Sequence, residues 1–212
     1  DIGIEPMAHL TCVGATGPEI GGVLDELRLR GIENVLALRG DPPLGTGAFE
    51  PTPGGFRYAS ELVRLIRSRH DHFCVGAACY PEGHPEAPSK EKDLENLKRK
   101  VDAGVDFLIT QLFFDNADFY AFRERAQSAG VTVPMIAGIM PILNVGQIKR
   151  FTTMCGAKIP ADLLRRVEAV EDDVEAVRQI GTYHAVEQAR ELLKQGVAGI
   201  HFYTLNKSTA TR

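Results

Sequence analysis

The sequence predicts an α/β fold with a parallel sheet, and two observations lead to that class. First, one short pattern recurs at 29–40, 102–114, 128–140 and 194–206: a helix end, a glycine, a β-branched residue and then an apolar strand. Glycine tolerates the left-handed backbone that ends a helix, and a short turn then leads into the strand. Second, the strands are nearly continuous apolar runs, which is typical of parallel strands covered on both faces.

The first half of the chain divides into three strand–helix units. The apolar run "HLTCV" predicts a strand over 7–13, and Pro18 stands in the first turn of a helix predicted over 18–30. The runs "NVLALRG" and "FCVGAACY" predict strands over 34–40 and 73–80, with a helix over 56–69 between them. Ser89 precedes an amphipathic stretch that predicts a helix over 90–103.

The second half continues the alternation. The run "FLITQLFF" predicts a strand over 107–114, and Asp115 or Asn116 is expected to cap a helix over 116–129. A strand over 135–141 precedes a helix over 144–155, for which Asn144 is the expected cap. The last predicted elements are helices over 161–169 and 173–195 and a strand over 199–206. Strands that alternate with helices in this way indicate a βα array.

Six strands suit either an open doubly wound sheet or part of a closed barrel of eight βα units. The chain ends favour the barrel, because Gly3 begins the repeated unit without a helix before it, and Ser208 and Thr209 follow the last strand as caps without a helix after them. We therefore expect residues 1–212 to form a single βα-barrel domain of the (β/α)8 TIM barrel class. It would hold the third to eighth strands and lack the first two βα units and the last helix. A native six-stranded sheet with short tails is the alternative.

Composition argues against several classes of function. The chain has 212 residues, 44% hydrophobic and 25% charged, with a net charge of −4 and a pI of about 5.9. It has no basic stripe of the kind that binds nucleic-acid phosphates, and no apolar run approaches the ~20 residues that span a bilayer. We therefore expect neither a nucleic acid nor a membrane as partner.

The cysteines are interpreted as small buried hydrophobes in a reducing compartment, since most of them lie in apolar runs. They are Cys12, Cys74, Cys79 and Cys155. No metal site is expected, because Cys74 and Cys79 face opposite sides of an extended segment and no second Cys/His pair completes a zinc set.

Polar side chains gather where the predicted strands end, whereas the strand starts are almost wholly apolar. In a βα barrel the carboxyl ends of the strands converge on one mouth, so this asymmetry favours a ligand site there. The polar residues are His9, Thr11, Arg39, Asp41, Tyr80, His84, Thr110, Gln111, Tyr203, Thr204, Asn206 and Lys207. Some have ordinary structural explanations: His9 as a satisfied core histidine, and Arg39 with Asp41 as an ion pair.

Two further patterns point to the chemistry of the ligand. Gln111 lies among bulky apolar neighbours, and a buried amide there needs partners that a ligand's polar edge would supply. Asp93, Asn96 and Lys100 recur on one side of the helix predicted over 90–103, a row that is either a solvated face or a set of contacts to a long polar ligand. The strand-end residues suit an anionic, heteroaromatic ligand or cofactor.

Other sequence features point to no function. His70, His72 and His184 are interpreted as surface or helix residues without a role. A dinucleotide-binding glycine fingerprint, a P-loop, a nucleophile elbow and a strand-end carboxylate pair are all missing from the sequence.

Seven stretches, taken together, resemble the methylenetetrahydrofolate reductase family of the bacterial type, a flavin-dependent βα barrel. They cover nearly the whole chain in the family's order, and "LRGDPP", "YPEGHPE" and "HFYTLN" are highly specific. The stretches are "AHLTC" (8–12), "NVLALRGDPP" (34–43), "GFRYASELV" (55–63), "AACYPEGHPE" (77–86), "DLENLKRKVDAGVDFLITQLFFDN" (93–116), "PMIAGIMPI" (134–142) and "GIHFYTLNKSTAT" (199–211).

The resemblance implies a reaction and a set of site residues. The family reduces 5,10-methylenetetrahydrofolate to 5-methyltetrahydrofolate, with a hydride passing from NADH or NADPH through FAD. By motif position the FAD contacts would be His9, Leu38, Arg39, Gly40, Asp41, Tyr58, Ala59, Tyr80, His84, Asp93, Asn96, Arg99 and Lys100. Asp41 and Gln111 would act in catalysis and contact the folate, with Gln147, Phe151 and Lys207 as further substrate contacts. Many relatives have Arg where Lys207 stands, and Lys does not bind a carboxylate as a fork.

The resemblance also implies a cytoplasmic location and a homo-oligomer, and it exposes one departure. The family's proposed general acid is a Glu on the first barrel strand, in a "FEFFPP"-like motif that this sequence does not contain. We therefore expect this 212-residue chain not to reduce folate by itself. The alternatives are a non-redox pterin- or folate-binding barrel, such as a methyltransferase, and an inactive fragment that acts only in binding or folding.

Overall fold

The computed structural model describes residues 3–42 and 49–204. Within them, strands and helices alternate through most of the chain. The strands are β1 (Met7–Thr11), β2 (Asn34–Leu38), β3 (Cys74–Cys79), β4 (Phe107–Thr110), β5 (Met135–Ile139) and β6 (Gly199–Phe202). The helices are α1 (Gly17–Leu29), α2 (Ala59–Arg69), α3 (Lys90–Asp102), α4 (Asn116–Ser128), α5 (Val145–Cys155), α6 (Ala161–Glu168) and α7 (Val174–Lys194).

The strands form one sheet in the order β1-β2-β3-β4-β5-β6, so strands that follow one another along the chain are neighbours. The pairs β1–β2, β2–β3 and β5–β6 are parallel. In the first pair His9 lies beside Leu36 and Thr11 beside Leu38. The predicted α/β class with a parallel sheet is therefore confirmed.

Every predicted helix and strand is present in the predicted order, but the strands end earlier than predicted. The strand predicted over 107–114 ends at Thr110. Leu112 and Phe114 are buried in a hydrophobic cluster with residues of α5, α6 and α7, so their apolar character reflects packing in a loop. A run of apolar residues alone does not show where the sheet pairing stops.

Glycines with a positive φ angle end four of the helices that lead into a strand, as the repeated sequence pattern predicts. Gly31, Gly104, Gly130 and Gly196 have φ angles of 70°, 113°, 82° and 71°. Each lies directly before the short turn that leads into the next strand, where the left-handed backbone is costly for other residues.

The predicted helix caps are also present. The Asp115 side chain accepts a hydrogen bond from the backbone N–H of Ala117, at 2.9 Å, and Asn144 accepts one from Gln147, at 2.8 Å. Ser89 accepts from the N–H of Lys92 at 3.2 Å. These bonds satisfy N–H groups that the first helical turn leaves without a partner.

The chain divides into two compact units. Unit 1 comprises Asp1–Ala78 and Glu95–Leu108, and unit 2 comprises Cys79–Leu94 and Ile109–Arg212. In unit 1, Ile20 and Leu24 of α1, and Leu62 and Ile66 of α2, are fully buried or nearly so, and β2 contributes a buried centre.

Unit 2 has a hydrophobic cluster formed by the loop after β4, the segment after β5, and helices α5, α6 and α7. Its buried members are Leu112, Phe114, Met140, Ile142, Val145, Ile148, Leu163, Val167 and Val177. Gly181 of α7 packs directly on this cluster, because a Cβ at that position would lie 2.0 Å from the carbonyl oxygen of Ile142.

The interpretation of His70 as a surface residue without a role is wrong. His70 follows α2, is 9% exposed and has its Nε2 atom 2.7 Å from Asp25 Oδ1. Asp25 also accepts from both Nε and Nη2 of Arg69, so α1 and the end of α2 are joined by charged hydrogen bonds within unit 1. No helix in the described part of the chain is long and apolar enough to cross a membrane.

Candidate functional site

The predicted site residues divide between the two units. Those of unit 1 are His9, Leu38, Arg39, Gly40, Asp41, Tyr58, Ala59, Asn96, Arg99 and Lys100. Those of unit 2 are Tyr80, His84, Asp93, Gln111, Gln147 and Phe151. Lys207 lies outside the described residues, so its role stays a prediction.

In unit 1 the backbone that leaves β2 is held against the end of β1. The N–H of Cys12 points to the carbonyl oxygens of Leu38 and Arg39, at 3.2 and 3.1 Å. Gly40 follows with a φ angle of +87°, and a Cβ there would lie 2.5 Å from Cγ2 of Val13. Local geometry therefore requires glycine at this position, whatever ligand approaches it.

Arg39 and Asp41 flank Gly40 at this exit. The guanidinium carbon of the half-buried Arg39 lies 4.9 Å from the centre of the Phe49 ring, a cation–π arrangement. Asp41 is exposed. His9, on β1 three residues before Cys12, is exposed as well, which excludes its interpretation as a core histidine.

Tyr58 and Ala59 stand at the start of α2. Tyr58 is the N-cap residue and is 58% exposed, so its ring is presented to solvent. The Glu61 carboxylate turns back to accept from the N–H groups of Arg57 and Tyr58, at 2.7 and 3.0 Å. These two bonds fix the backbone at this helix start.

Helix α3 contributes the row of polar residues. Asp93, Asn96 and Lys100 follow one another at helical spacing, and Arg99 is adjacent and exposed. The ammonium group of the half-buried Lys100 donates to the carbonyl oxygen of Ala78 in β3. Lys100 is therefore more than part of a solvated face, because it holds its charge close to the carboxyl end of a strand, whereas Asn96 is exposed.

In unit 2 the loop that follows β3 presents two aromatic side chains. The rings of Tyr80 and His84 meet edge to face, with centres 4.6 Å apart. Asp93 accepts from the N–H of His84, at 3.1 Å. The N–H of Glu86 donates to Nδ1 of His84, at 3.0 Å, which places the ring proton of a neutral His84 on Nε2.

Gln111 begins the loop that follows β4, and its position is fixed at both backbone and side chain. Its N–H donates to the carbonyl of Cys79 at 2.7 Å, and its side-chain oxygen accepts from the N–H of Leu112 at 2.9 Å. The side-chain oxygen of Gln111 thus has a partner within the chain, and Gln111 is half-buried, less than the sequence analysis expects.

Helix α7 supports the same loop through a ladder of polar side chains that the sequence did not reveal. Gln188 donates to the carbonyl of Phe113 and His184 Nε2 bonds to that of Phe114, both at 2.9 Å. Asn116 donates to Glu191 at 2.9 Å. His184 therefore has a structural role, contrary to expectation, and burial lowers its pKa.

Tyr203 joins the last strand to β4. Its hydroxyl donates to the carbonyl of Thr110 at 2.9 Å, and the hydroxyl of Thr110 accepts from the N–H of Gly138 at 2.9 Å. Burial raises the pKa of Tyr203. The phenol therefore remains protonated and donates this hydrogen bond.

A depression within unit 2 brings two predicted substrate contacts together. Gln147 and Phe151 both line it, one turn apart on α5. The remaining lining residues are Met140, Pro141, Leu143, Asn144, Ile148, Tyr203 and Thr204. This mostly apolar wall with a few polar groups suits part of an aromatic ligand.

Comparison with known proteins gives the context of these residues. The family model described as "Methylenetetrahydrofolate reductase" matches residues 1–212. The 5,10-methylenetetrahydrofolate reductase of Escherichia coli is 42% identical over 206 residues, which are 97% of this chain and 67% of that protein. Methylenetetrahydrofolate reductase (NADH) 1 of Zea mays is 41% identical over 96% of this chain, but the chain spans only 36% of its length.

A solved structure supports the fold. An uncharacterized protein from Clostridium thermocellum, described as binding two copies of 5-methyl-5,6,7,8-tetrahydrofolic acid, superposes with a TM-score of 0.53. The superposition covers 95% of this chain and 89% of that protein, at 13% sequence identity. At this identity the likeness concerns the fold alone.

Proposed function

Because the chain belongs to the methylenetetrahydrofolate reductase family, we propose that it supplies the folate-reducing barrel of such an enzyme. The proposed reaction converts 5,10-methylenetetrahydrofolate to 5-methyltetrahydrofolate at the expense of NAD(P)H, with FAD as cofactor. The main support for this proposal is the family match over residues 1–212, since that range includes every predicted site residue. We further propose that the six parallel strands belong to an eight-stranded barrel.

The residues of unit 1 suit an anionic dinucleotide by their chemistry. Lys100 is half-buried with its ammonium group at the carbonyl of Ala78, and Arg39 is half-buried beside an aromatic ring. Arg99 adds an exposed cation on the same helix as Lys100. We assign Lys100 and Arg99 to the diphosphate of FAD, because cations pair with phosphate oxygens through charge-assisted hydrogen bonds.

Aromatic and polar groups would orient the rest of the cofactor. Tyr58 is exposed at the start of α2, and Tyr80 and His84 form an edge-to-face pair in unit 2. The further proposed FAD contacts are His9, Leu38, Arg39, Gly40, Asp41, Ala59, Asp93 and Asn96. When bound, the flavin would accept a hydride from the nicotinamide and pass it to the folate.

Asp41 and Gln111 are the groups we assign to the reacting end of the folate. A carboxylate at Asp41 favours a positive charge nearby and would stabilise the cationic methylene-iminium form of the substrate. Gln111 would hydrogen-bond the pterin, and its backbone and side-chain bonds fix its orientation beforehand. Gln147 and Phe151 would hold the substrate at the depression on α5, and Lys207 is a further proposed contact.

The proposal is tested by FAD binding to the complete protein. Titration of the apo-protein should quench flavin fluorescence with a defined stoichiometry. Lys100→Met should weaken the affinity by about tenfold, because the variant removes one charge-assisted contact to phosphate. Lys98→Met is the matched control, since Lys98 lies on the same helix and pairs with Asp102 at the surface. A colourless protein that binds a folate without flavin would contradict the proposal and favour a non-redox pterin-binding barrel.

A further inference from the structure

Glu82 has a buried carboxylate and is not among the proposed FAD or folate contacts. It lies in the "YPEGHPE" loop, two residues after Tyr80 and two before His84, and its side chain is only 5% exposed. The backbone N–H of Lys158 points to both of its oxygens, at 3.0 Å for Oε1 and 3.1 Å for Oε2. The Lys158 ammonium lies 4.0 Å from Oε1 and is itself mostly exposed. Burial of this charge is thus compensated mainly by a backbone donor.

The partner of Glu82 belongs to the segment that joins α5 to α6. Helix α5 ends at Cys155, Gly156 takes a left-handed conformation, and Lys158 follows two residues later. A second contact joins the same two segments, because a Cβ on Gly156 would lie 3.2 Å from Cγ of Pro85. The loop around Glu82 is therefore fastened to the carboxyl end of α5 at two points.

Both connected segments carry groups with a proposed role. Tyr80 and His84 flank Glu82 in the loop, and Asp93 anchors the other side of that loop through the N–H of His84. On α5, Phe151 precedes Cys155 by one turn, and Gln147 precedes Phe151 by one turn. A displacement of the end of α5 would move Phe151 directly, and a displacement of the loop would move Tyr80 and His84.

We propose that Glu82 is a positioning residue, which holds the cofactor-facing loop and the folate-facing helix α5 in a fixed relation through the backbone N–H of Lys158. The inference rests on the proposed function, since it uses the cofactor role of Tyr80 and His84 and the substrate role of Gln147 and Phe151. Groups in direct contact with a ligand keep a productive geometry only while packing and hydrogen bonds from neighbouring residues lock their orientation.

The ionisation of Glu82 provides a way to observe this role. Burial raises the pKa of its carboxyl group, whereas the Lys158 N–H and the charges of Lys158 and Lys90 oppose that rise. Asp118 adds to the rise, and Cys155 is the titratable group that faces Glu82 from α5. A protonated Glu82 resembles glutamine, because each has a carbonyl oxygen as acceptor, a donor group beside it and no charge.

The test compares Glu82→Gln with Glu168→Gln in the complete protein. Glu168 pairs with Lys149 of α5 at the surface, so its variant makes the same chemical change near the same helix without touching the buried contact. E82Q should raise both the FAD dissociation constant and the folate KM by about fivefold, since a charge-assisted hydrogen bond is roughly twice as strong as a neutral one. Its kcat should change by less than about twofold, because the lost contact positions both ligands and touches neither.

The pH dependence of the folate KM distinguishes a positioning role of Glu82 from a merely structural one. The ratio of the E82Q folate KM to the wild-type KM should be largest at neutral pH and approach one in acid, as wild-type Glu82 becomes protonated. E168Q should show a ratio near one throughout. Lys158→Met, which keeps the backbone N–H, should also remain near the wild-type values.

Contrary outcomes are distinguishable. The positioning role is overturned if E82Q folds and its FAD dissociation constant and folate KM are unchanged, whatever its melting temperature. In that case turnover by the wild-type protein still upholds the proposed function. If E82Q does not fold, Glu82→Asp is the second variant; it keeps the charge but shortens the reach, and it must raise the same two constants. A wild-type protein that binds no FAD contradicts the proposed function and the positioning role with it.

Discussion

The close approach of Gly181 to Ile142 gives the sharpest test of the packing in unit 2. Gly181 is buried in the middle of α7, and a Cβ built there lies 2.0 Å from the carbonyl oxygen, 2.7 Å from the carbonyl carbon and 2.8 Å from the Cβ of Ile142. Two of the three atoms belong to the backbone, so a rotamer change cannot relieve the clash. Gly181→Ala must move α7 or the segment after β5 by more than about 1 Å to restore ordinary contact distances.

The expected magnitude combines two opposing effects. Overpacking of a rigid interior costs up to about 3 kcal/mol, and alanine in a helix interior regains about 1 kcal/mol relative to glycine. The net loss of about 2 kcal/mol should lower the melting temperature by about 4–8 °C for a domain of this size. Because Ile142 lies between two residues that line the α5 depression, Pro141 and Leu143, the variant should also raise the folate KM.

The assay is thermal unfolding of the apo-protein, followed by circular dichroism. Gly22→Ala is the matched control, because Gly22 is an exposed residue of α1, and a Cβ on it would meet no atom within 4 Å. That variant should raise the melting temperature by about 2–4 °C through helix propensity alone. A melting temperature for G181A at or above the wild-type value would refute the contact between α7 and Ile142.

Three further predictions address single groups. Asp41→Asn should slow folate reduction by about tenfold to a hundredfold. Its free energy of unfolding should change by no more than about 0.5 kcal/mol, because Asp41 is exposed. Equal losses in the rate, from rapid kinetics, and in the free energy of unfolding would indicate a structural role for Asp41. Tyr203→Phe should destabilise the protein by about 1–2 kcal/mol in urea unfolding, since it removes the hydroxyl that donates to the Thr110 carbonyl. An unchanged urea midpoint would contradict the hydrogen bond between Tyr203 and Thr110. Hydrogen bonds from Arg69 and His70 lower the pKa of Asp25, so Asp25 stabilises the folded state above the ordinary aspartate pKa and loses this effect as pH falls through its folded-state value. Asp25→Asn should therefore be less stable than wild type at pH 7, with a difference that shrinks in acid; a constant difference across pH would contradict it.

The sequence was sufficient to predict the element order because the local signals are strong. The helix-ending glycines at Gly31, Gly104, Gly130 and Gly196 take positive φ angles as expected, and Asp115 and Asn144 cap the helices assigned to them. These features depend on a few neighbouring residues. The ends of the strands depend on pairing between distant segments. The strands predicted from the sequence therefore extend up to several residues beyond the observed strand ends.

The burial and the hydrogen-bond partners of polar residues in tertiary contacts were the least predictable features of the structure. Nothing adjacent in sequence indicates that Glu82 is buried, that His70 packs beside Asp25, or that His184 supports the loop after β4. Each of these side chains finds its partner between about 45 and 76 residues away in the chain. Such partners follow from the fold and have no short-range pattern.

The candidate site was predictable in part. The family resemblance assigned Gln147 and Phe151 to the same substrate, and both line one depression in the structure. The helical row on α3 was open to two interpretations, and Lys100 of that row lies at the end of β3. Gly40 shows the limit of such inference, because its conformation and its approach to Val13 already require glycine without a ligand. Assignment of the residues to FAD and folate remains a prediction from family membership.

The oxidative half-reaction tests the central claim most directly. The complete protein, loaded with FAD and reduced by NADH or NADPH under anaerobic conditions, should lose its flavin absorption near ~450 nm. Addition of 5,10-methylenetetrahydrofolate should restore that absorption with formation of one equivalent of 5-methyltetrahydrofolate. A reduced flavin that stays reduced after the folate is added would contradict the account.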